Sequence, residues 1–229
     1  MRNLYAIILS LILAASAFAQ EGEQAASKQK SPVGVGAKVA FDYGMIYGMD
    51  DEDDDVDGSP SGLGFDAGLM LRVMLVNNFY FAPEFNFAYI KTEHKYLNAL
   101  RSYTRMDLEI PLMLRGVVAD RFYATFGPQL GLNLSSDNKI RVQGSNLPED
   151  FDQTFFEFGI AVGAGVQIAQ GFFFDLRVYM GLTELFPDVD YLWDDDFSKD
   201  PSKSKGWSSI DMAGAKNLKF KAGVSYWFI

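Results

Sequence analysis

Arg105 to Leu134 reads RMDLEIPLMLRGVVADRFYATFGPQLGLNL. Taken in steps of two, Met106, Leu108, Ile110, Leu112 and Leu114 fall on one face, and Arg105, Asp107, Glu109 and Arg115 on the other. After a break at Ala119-Asp120-Arg121 the alternation resumes. Phe122, Ala124, Phe126, Leu130, Leu132 and Leu134 then oppose Tyr123, Thr125, Gln129 and Asn133. Side chains of a strand alternate faces, so the stretch predicts a hairpin with one apolar and one polar face. Its charges stand mid-strand and carry both signs, while aromatics gather beside the short turn. Lipid outside and a polar lumen inside account for both features.

The same pattern extends in both directions. Strands are predicted at Val33–Met49, Gly62–Leu75, Phe79–Lys91, the opening hairpin, Thr154–Ile168, Phe172–Phe186, and from about Asn217 to the end. Val76-Asn77-Asn78, Ala119-Asp120-Arg121 and Ala169-Gln170-Gly171 are short turns; Asn tolerates positive φ. The other connections are long: the acidic run Asp50–Asp57, a loop near His94–Arg101, Ser136–Gln153, and Pro187–Ser209. Short and long connections alternate, as in an all-β, eight-stranded antiparallel up-and-down transmembrane β-barrel with tight turns in the periplasm and long loops outside. Phe79-Tyr80-Phe81, Phe122-Tyr123, Phe172-Phe173-Phe174 and Tyr226-Trp227-Phe228 cluster at the short-turn end, where an interfacial aromatic belt is expected. A soluble lipocalin-like barrel with its apolar face inward shows the same alternation. It does not explain Gly34, Gly36, Gly62, Gly64, Gly68, Gly163 and Gly165 on the polar face, since glycine on an exposed sheet only weakens strands.

The first residues read as a secretory leader, 1–19: Arg2, an apolar run Leu4–Ala15, and Ala17-Phe18-Ala19 before Gln20. Gln20–Pro32 is polar and unpatterned, a flexible periplasmic tether, and 33–229 is the barrel. The formal charge of −10 becomes −11 when a leader with one Arg and no acid is removed. That balance argues against nucleic acid, which calls for clustered Lys and Arg. With no cysteine, the exported fold closes without disulfides.

Four blocks, DLEIPLMLRG at Asp107–Gly116, FGPQLGLNLS at Phe126–Ser135, GAGVQI at Gly163–Ile168 and LRVYMGLTEL at Leu176–Leu185, resemble the PorT-like outer-membrane β-barrel family. The resemblance implies an eight-stranded barrel in a Gram-negative outer membrane, and some family members serve a protein-secretion and gliding apparatus. Pro111 and Pro128 match the family's prolines and predict a bulge, since each removes a ladder donor. The chain departs from the usual aromatic ending of such barrels: Phe228 precedes Ile229.

Strict alternation sends seven cations inward, Lys38, Arg72, Arg105, Arg115, Arg177, Lys219 and Lys221. It also sends seven carboxylates, Asp42, Asp66, Glu84, Asp107, Glu109, Glu157 and Asp175. Such balance suits a mutually paired plug; a selective pore would show rings of one sign. The one histidine, His94, has Glu93 beside it and Ser102 near. Some outer-membrane lipid enzymes use those residue types, but no signature surrounds them, and no catalytic residue is assigned. Asp53, Asp55 and Asp57 form D-x-D-x-D-G, a spacing that suits Ca²⁺. The twelfth position of such a loop is Gly64, so the bidentate carboxylate is missing and a solvated loop competes. The reading is therefore a non-enzymatic barrel with acidic extracellular loops and a structural or binding role in the envelope. No cofactor beyond that Ca²⁺ is expected. The expected partners are outer-membrane lipid and lipopolysaccharide, the barrel-assembly machinery, and an envelope or secretion component. A small transport channel is the alternative, and a lipid-modifying enzyme a third.

Overall fold

The computed structural model describes residues 33–48, 60–96, 99–119, 121–142, 145–148, 153–186 and 214–228. Nine strands are present among them: β1 Val33–Tyr47, β2 Ser61–Val76, β3 Phe79–Tyr96, β4 Ala99–Ala119, β5 Phe122–Val142, β6 Ser145–Pro148, β7 Phe156–Ala169, β8 Phe172–Gly181 and β9 Lys216–Phe228. Each pairs antiparallel with its neighbour, in the order β4-β3-β2-β1-β9-β8-β7-β5, and a β4–β5 ladder joins the two ends. Eight strands thus close into a barrel. The first and last strands form one of its seams, from Val35 opposite Phe228 to Tyr47 opposite Lys216. Closure gives each of these eight strands a neighbour on both sides, which lipid requires because it offers no hydrogen bonds.

The burial pattern follows the two-residue period. On β1 the outward Val35, Val39 and Phe41 are exposed and the intervening Lys38, Ala40 and Asp42 are buried. On β2, Phe65 and Leu69 are 59% and 58% exposed while Asp66, between them, is 1% exposed. A water-soluble fold does not leave such a band of Phe, Leu and Val uncovered all around itself while burying Lys and Asp. The lipid-side assignment of the apolar face follows.

Two of the short turns use the left-handed backbone. Asn78 has φ of 64° and Gly171 has φ of 79°, which places Asn and Gly where their side chains cost least. Inside, glycine makes room for rings. A Cβ on Gly165 would lie 2.2 Å from the Tyr123 ring, and one on Gly159 would lie 2.6 Å from that of Tyr179. Two inward tyrosines are therefore accommodated by the bare backbone of β7.

Three parts of the architecture differ from the sequence reading. The loops expected at His94–Arg101 and Ser136–Gln153 are largely strand. β3 and β4 pair as far as Tyr96 opposite Ala99, β4 and β5 as far as Ala99 opposite Val142, and β6 adds four more pairs to β5. Polar composition suggested loops there, but cross-strand ladders continue wherever neighbouring strands supply partners. Conversely, β8 ends at Gly181 rather than Phe186, and Leu185 and Phe186 turn into the barrel instead. Lastly, the expected bulge at Pro111 and Pro128 is absent. Pro111 pairs with Gln129 and Leu114 with Phe126 in one unbroken register; the β4–β5 shifts lie at Met106/Asp107 and Val117/Ala119. A proline removes one donor, and the ladder skips that bond without gaining a residue.

Candidate functional site: a charged lumen under an apolar cap

The inward face is organised in three layers along the barrel. The layer on the long-loop side arises because Lys219 and Lys221, two apart on β9, point the same way. Lys221 Nζ lies 2.6 Å from Glu109 Oε2, 2.7 Å from Asp66 Oδ2 and 3.1 Å from Asp42 Oδ2. Lys219 Nζ lies 2.9 Å from the other Glu109 oxygen and 3.5 Å from Asp107 Oδ2. Arg105 continues the chain of charges, with Nε 2.6 Å from Asp107 Oδ1 and Nη2 3.1 Å from Glu157 Oε2. Asn217 donates to that same Glu157 oxygen at 2.8 Å. Five carboxylates here meet three cations. Consistent with that surplus, Asp42 Oδ1, Asp66 Oδ1 and Glu157 Oε1 accept no hydrogen bond among the described residues.

At mid-barrel, Arg177 of β8 forms a two-pronged pair with Glu84 of β3, Nη1 to Oε2 at 2.9 Å and Nη2 to Oε1 at 2.6 Å. Lys38 adds a contact at 3.6 Å and Asn86 donates at 3.2 Å. The two residues stand on strands far apart in the barrel order, so the planar fork crosses the lumen.

The short-turn layer is built differently. Arg115 has its guanidinium carbon 3.4 Å from the centre of the Tyr123 ring and 4.8 Å from that of Phe173. Arg72 lies 4.8 Å from the Trp227 ring and 5.3 Å from that of Tyr80. Asp175, the carboxylate of this layer, accepts from Tyr123 Oη and, at 2.9 Å, from Ser225 Oγ. Neither arginine forms an ion pair or a side-chain hydrogen bond with a described residue.

Above the long-loop layer, Ile46, Tyr103, Leu185, Phe186 and Ala215 form a buried apolar cluster. The segment after β8 brings Leu185 and Phe186 across the mouth. It is pinned by Leu185 N to Ala215 O at 2.8 Å, Thr154 N to Leu185 O at 2.7 Å, and Tyr47 Oη to Gly181 O at 2.5 Å. Tyr103 and Phe186 meet with ring centres 5.8 Å apart.

Thirteen of the fourteen charged residues sent inward by alternation are buried, and Arg72, near the mouth, is half-buried. Thirteen of them join the two ion networks or the Asp175 and Arg115 contacts just described, and Arg72 lies over the rings of Trp227 and Tyr80. The alternation reading missed the cap, because Leu185 and Phe186 were taken as strand. The separate aromatic-belt reading gave Tyr80, Tyr123 and Trp227 to the membrane interface, although alternation itself puts Tyr123 on the polar face. They face inward and are buried, whereas Phe122, Phe172, Phe174 and Phe228 remain outside. Period two within each aromatic triplet carried that distinction. His94 stands in register with Arg101, and Glu93 with Ser102, but the Glu93 carboxylate is held by Lys91 at 2.6 Å. No cluster of three metal-ligating side chains occurs among the described residues. Asp53, Asp55 and Asp57 lie outside them, as do the leader, the tether and the Pro187–Ser209 loop.

No curated protein matches this sequence. Among solved structures, the chain is similar to Neisserial surface protein A, at 13% identity and a TM-score of 0.49, covering 86% of this chain and 98% of that one. It is also similar to Ail, the attachment invasion locus protein of Yersinia pestis, at 12% identity and a TM-score of 0.43, covering 86% and 100%. A third is the outer membrane protein OprG of Pseudomonas aeruginosa, at 12% identity and a TM-score of 0.39, covering 85% and 96%. The family model for the outer membrane protein beta-barrel domain matches residues 18–187. With that match over most of its length, and with a closed eight-stranded barrel behind it, the chain belongs to the outer membrane protein β-barrel family of the Gram-negative envelope.

Proposed function

We propose that the protein is a non-conducting, non-enzymatic barrel that carries surface loops and has a structural or binding role in the cell envelope. The observation supporting this reading is a lumen with charge networks at two levels and an apolar cap at the long-loop mouth. Such an interior leaves the work to the ends of the barrel. β4 and β5 have 21 residues each, about twice the 9–11 that a tilted strand needs to span the hydrocarbon. The β3–β4–β5 sheet therefore stands beyond the membrane on the long-loop side and offers a rigid support for contacts. The PorT-like resemblance supports a secretion or envelope assembly as the source of that partner. Long loops face outside and both termini the periplasm, because an even strand count puts them with the tight turns.

Protease added to whole cells is expected to cut within Pro187–Ser209 and to spare Gln20–Pro32; cutting confined to the latter would reverse the orientation. Cross-linking in intact cells, followed by mass spectrometry, tests the binding role. Adducts from β4–β5 tip residues such as Lys139 to a defined envelope protein support it, and adducts only to bulk lipid-associated proteins count against it. The acidic run at Asp53, Asp55 and Asp57 adds a site for Ca²⁺ or for Ca²⁺-bridged lipopolysaccharide. Calorimetry at millimolar Ca²⁺, with Asp55→Ala as control, would show heat lost in the variant; no heat from either chain would leave a solvated loop.

A further inference from the structure

The seven lumen cations divide into two kinds. Lys38, Arg105, Arg177, Lys219 and Lys221 each have a carboxylate within 4 Å. Arg72 and Arg115 have none; aromatic rings take the place of the counter-ion. A ring accepts the face of a guanidinium and leaves its in-plane N–H fork unused, and that fork matches an oxyanion. Asp175, the carboxylate of this layer, is already engaged by Tyr123 and Ser225. A third donor has no acceptor either: Trp227 Nε1 is buried and unpartnered, and Arg115 lies 5.6 Å from the same Trp227 ring. Arg72 Nε is likewise enclosed without a partner.

The position makes the end of the Arg72 side chain reachable. Arg72 is four residues from the end of β2, opposite Gly34, and remains half-buried rather than enclosed. A Cβ on Gly34 would lie 3.1 Å from Arg72 Nη2, so glycine there leaves the guanidinium its space at the mouth.

We propose that the short-turn mouth of the barrel is an oxyanion site. Arg72 and Arg115, held against the rings of Trp227, Tyr80, Tyr123 and Phe173, clasp one phosphate or carboxylate group between their N–H edges. Phosphate is the chemistry abundant at that membrane face, either as the free ion or as a phospholipid headgroup.

The full-length protein, folded in a phosphate-free maltoside detergent, is titrated with inorganic phosphate by calorimetry. A second titration uses vesicles of phosphatidylglycerol diluted in phosphatidylcholine, with pure phosphatidylcholine as blank. Saturable binding is expected, weakened at least tenfold by Arg72→Gln and by Arg115→Gln, and unchanged by Lys91→Gln on the opposite rim. Binding of the free ion identifies a soluble anion site; binding of the vesicles alone identifies a headgroup site. Should Arg115→Gln fail to fold, Arg72→Gln at the half-exposed position carries the test. Absence of saturable binding to either probe, or binding undiminished in the Arg72 variant, overturns the proposal.

Discussion

Lys221 shows what a single residue does in this lumen. Its ammonium is shared by Asp42, Asp66 and Glu109, all fully enclosed. Replacing it by Met leaves Asp42 and Asp66 with no cation, whereas Glu109 keeps Lys219. Stranding a buried charge costs about 3–5 kcal/mol, so Lys221→Met is expected to lower unfolding stability in urea by that order. Asp66→Asn should cost far less, because Lys221 retains two other carboxylates. Equal losses from the two variants would show that the carboxylates are not held by this lysine. The same logic separates Arg177 from Arg115: the former has a two-pronged carboxylate, and the latter rests on rings.

The elements divide into those that meet lipid and those that meet water. Leu69 lies mid-strand on β2 and faces outward. Arg at such a depth costs about 2–4 kcal/mol in a membrane barrel, so Leu69→Arg should depress folded yield in lipid far more than Leu69→Phe. A soluble barrel would tolerate both alike. The segment after β8 is the other informative element. Phe186→Ala removes the ring that packs on Tyr103 in the cap, and truncating a buried Phe costs about 3 kcal/mol or more. That loss should appear in thermal unfolding without any leak, since the ion layers below stay intact. Strand phase was legible from residues such as Asp66 and Leu69, because one face meets lipid and the other a lumen, and a slip of one position would exchange them. Where the two environments no longer differ, beyond the membrane, the alternation fades. The strand content at 135–142 was therefore hidden under polar composition. The cap was hidden for the opposite reason: Leu182–Phe186 is apolar enough to pass for the end of β8, and only contacts with Ala215 and Thr154, distant in sequence, show that it folds inward.

At the scale of the whole molecule, an eight-stranded barrel is just wide enough for its own side chains to fill, and here they fill it with compensating charge. Five carboxylates and three cations lie on the loop side, with a surplus of cations toward the short turns. The interior is near neutral as a whole and polarised along its axis. Arg115→Ala is accordingly expected to lower stability more than it raises conductance, read by parallel urea unfolding and bilayer recording. The most direct test of the sealed lumen is a recording of the unmodified, full-length protein across a planar lipid bilayer. Insertion without any steady open level is the predicted result; sustained ion currents from folded protein would contradict it.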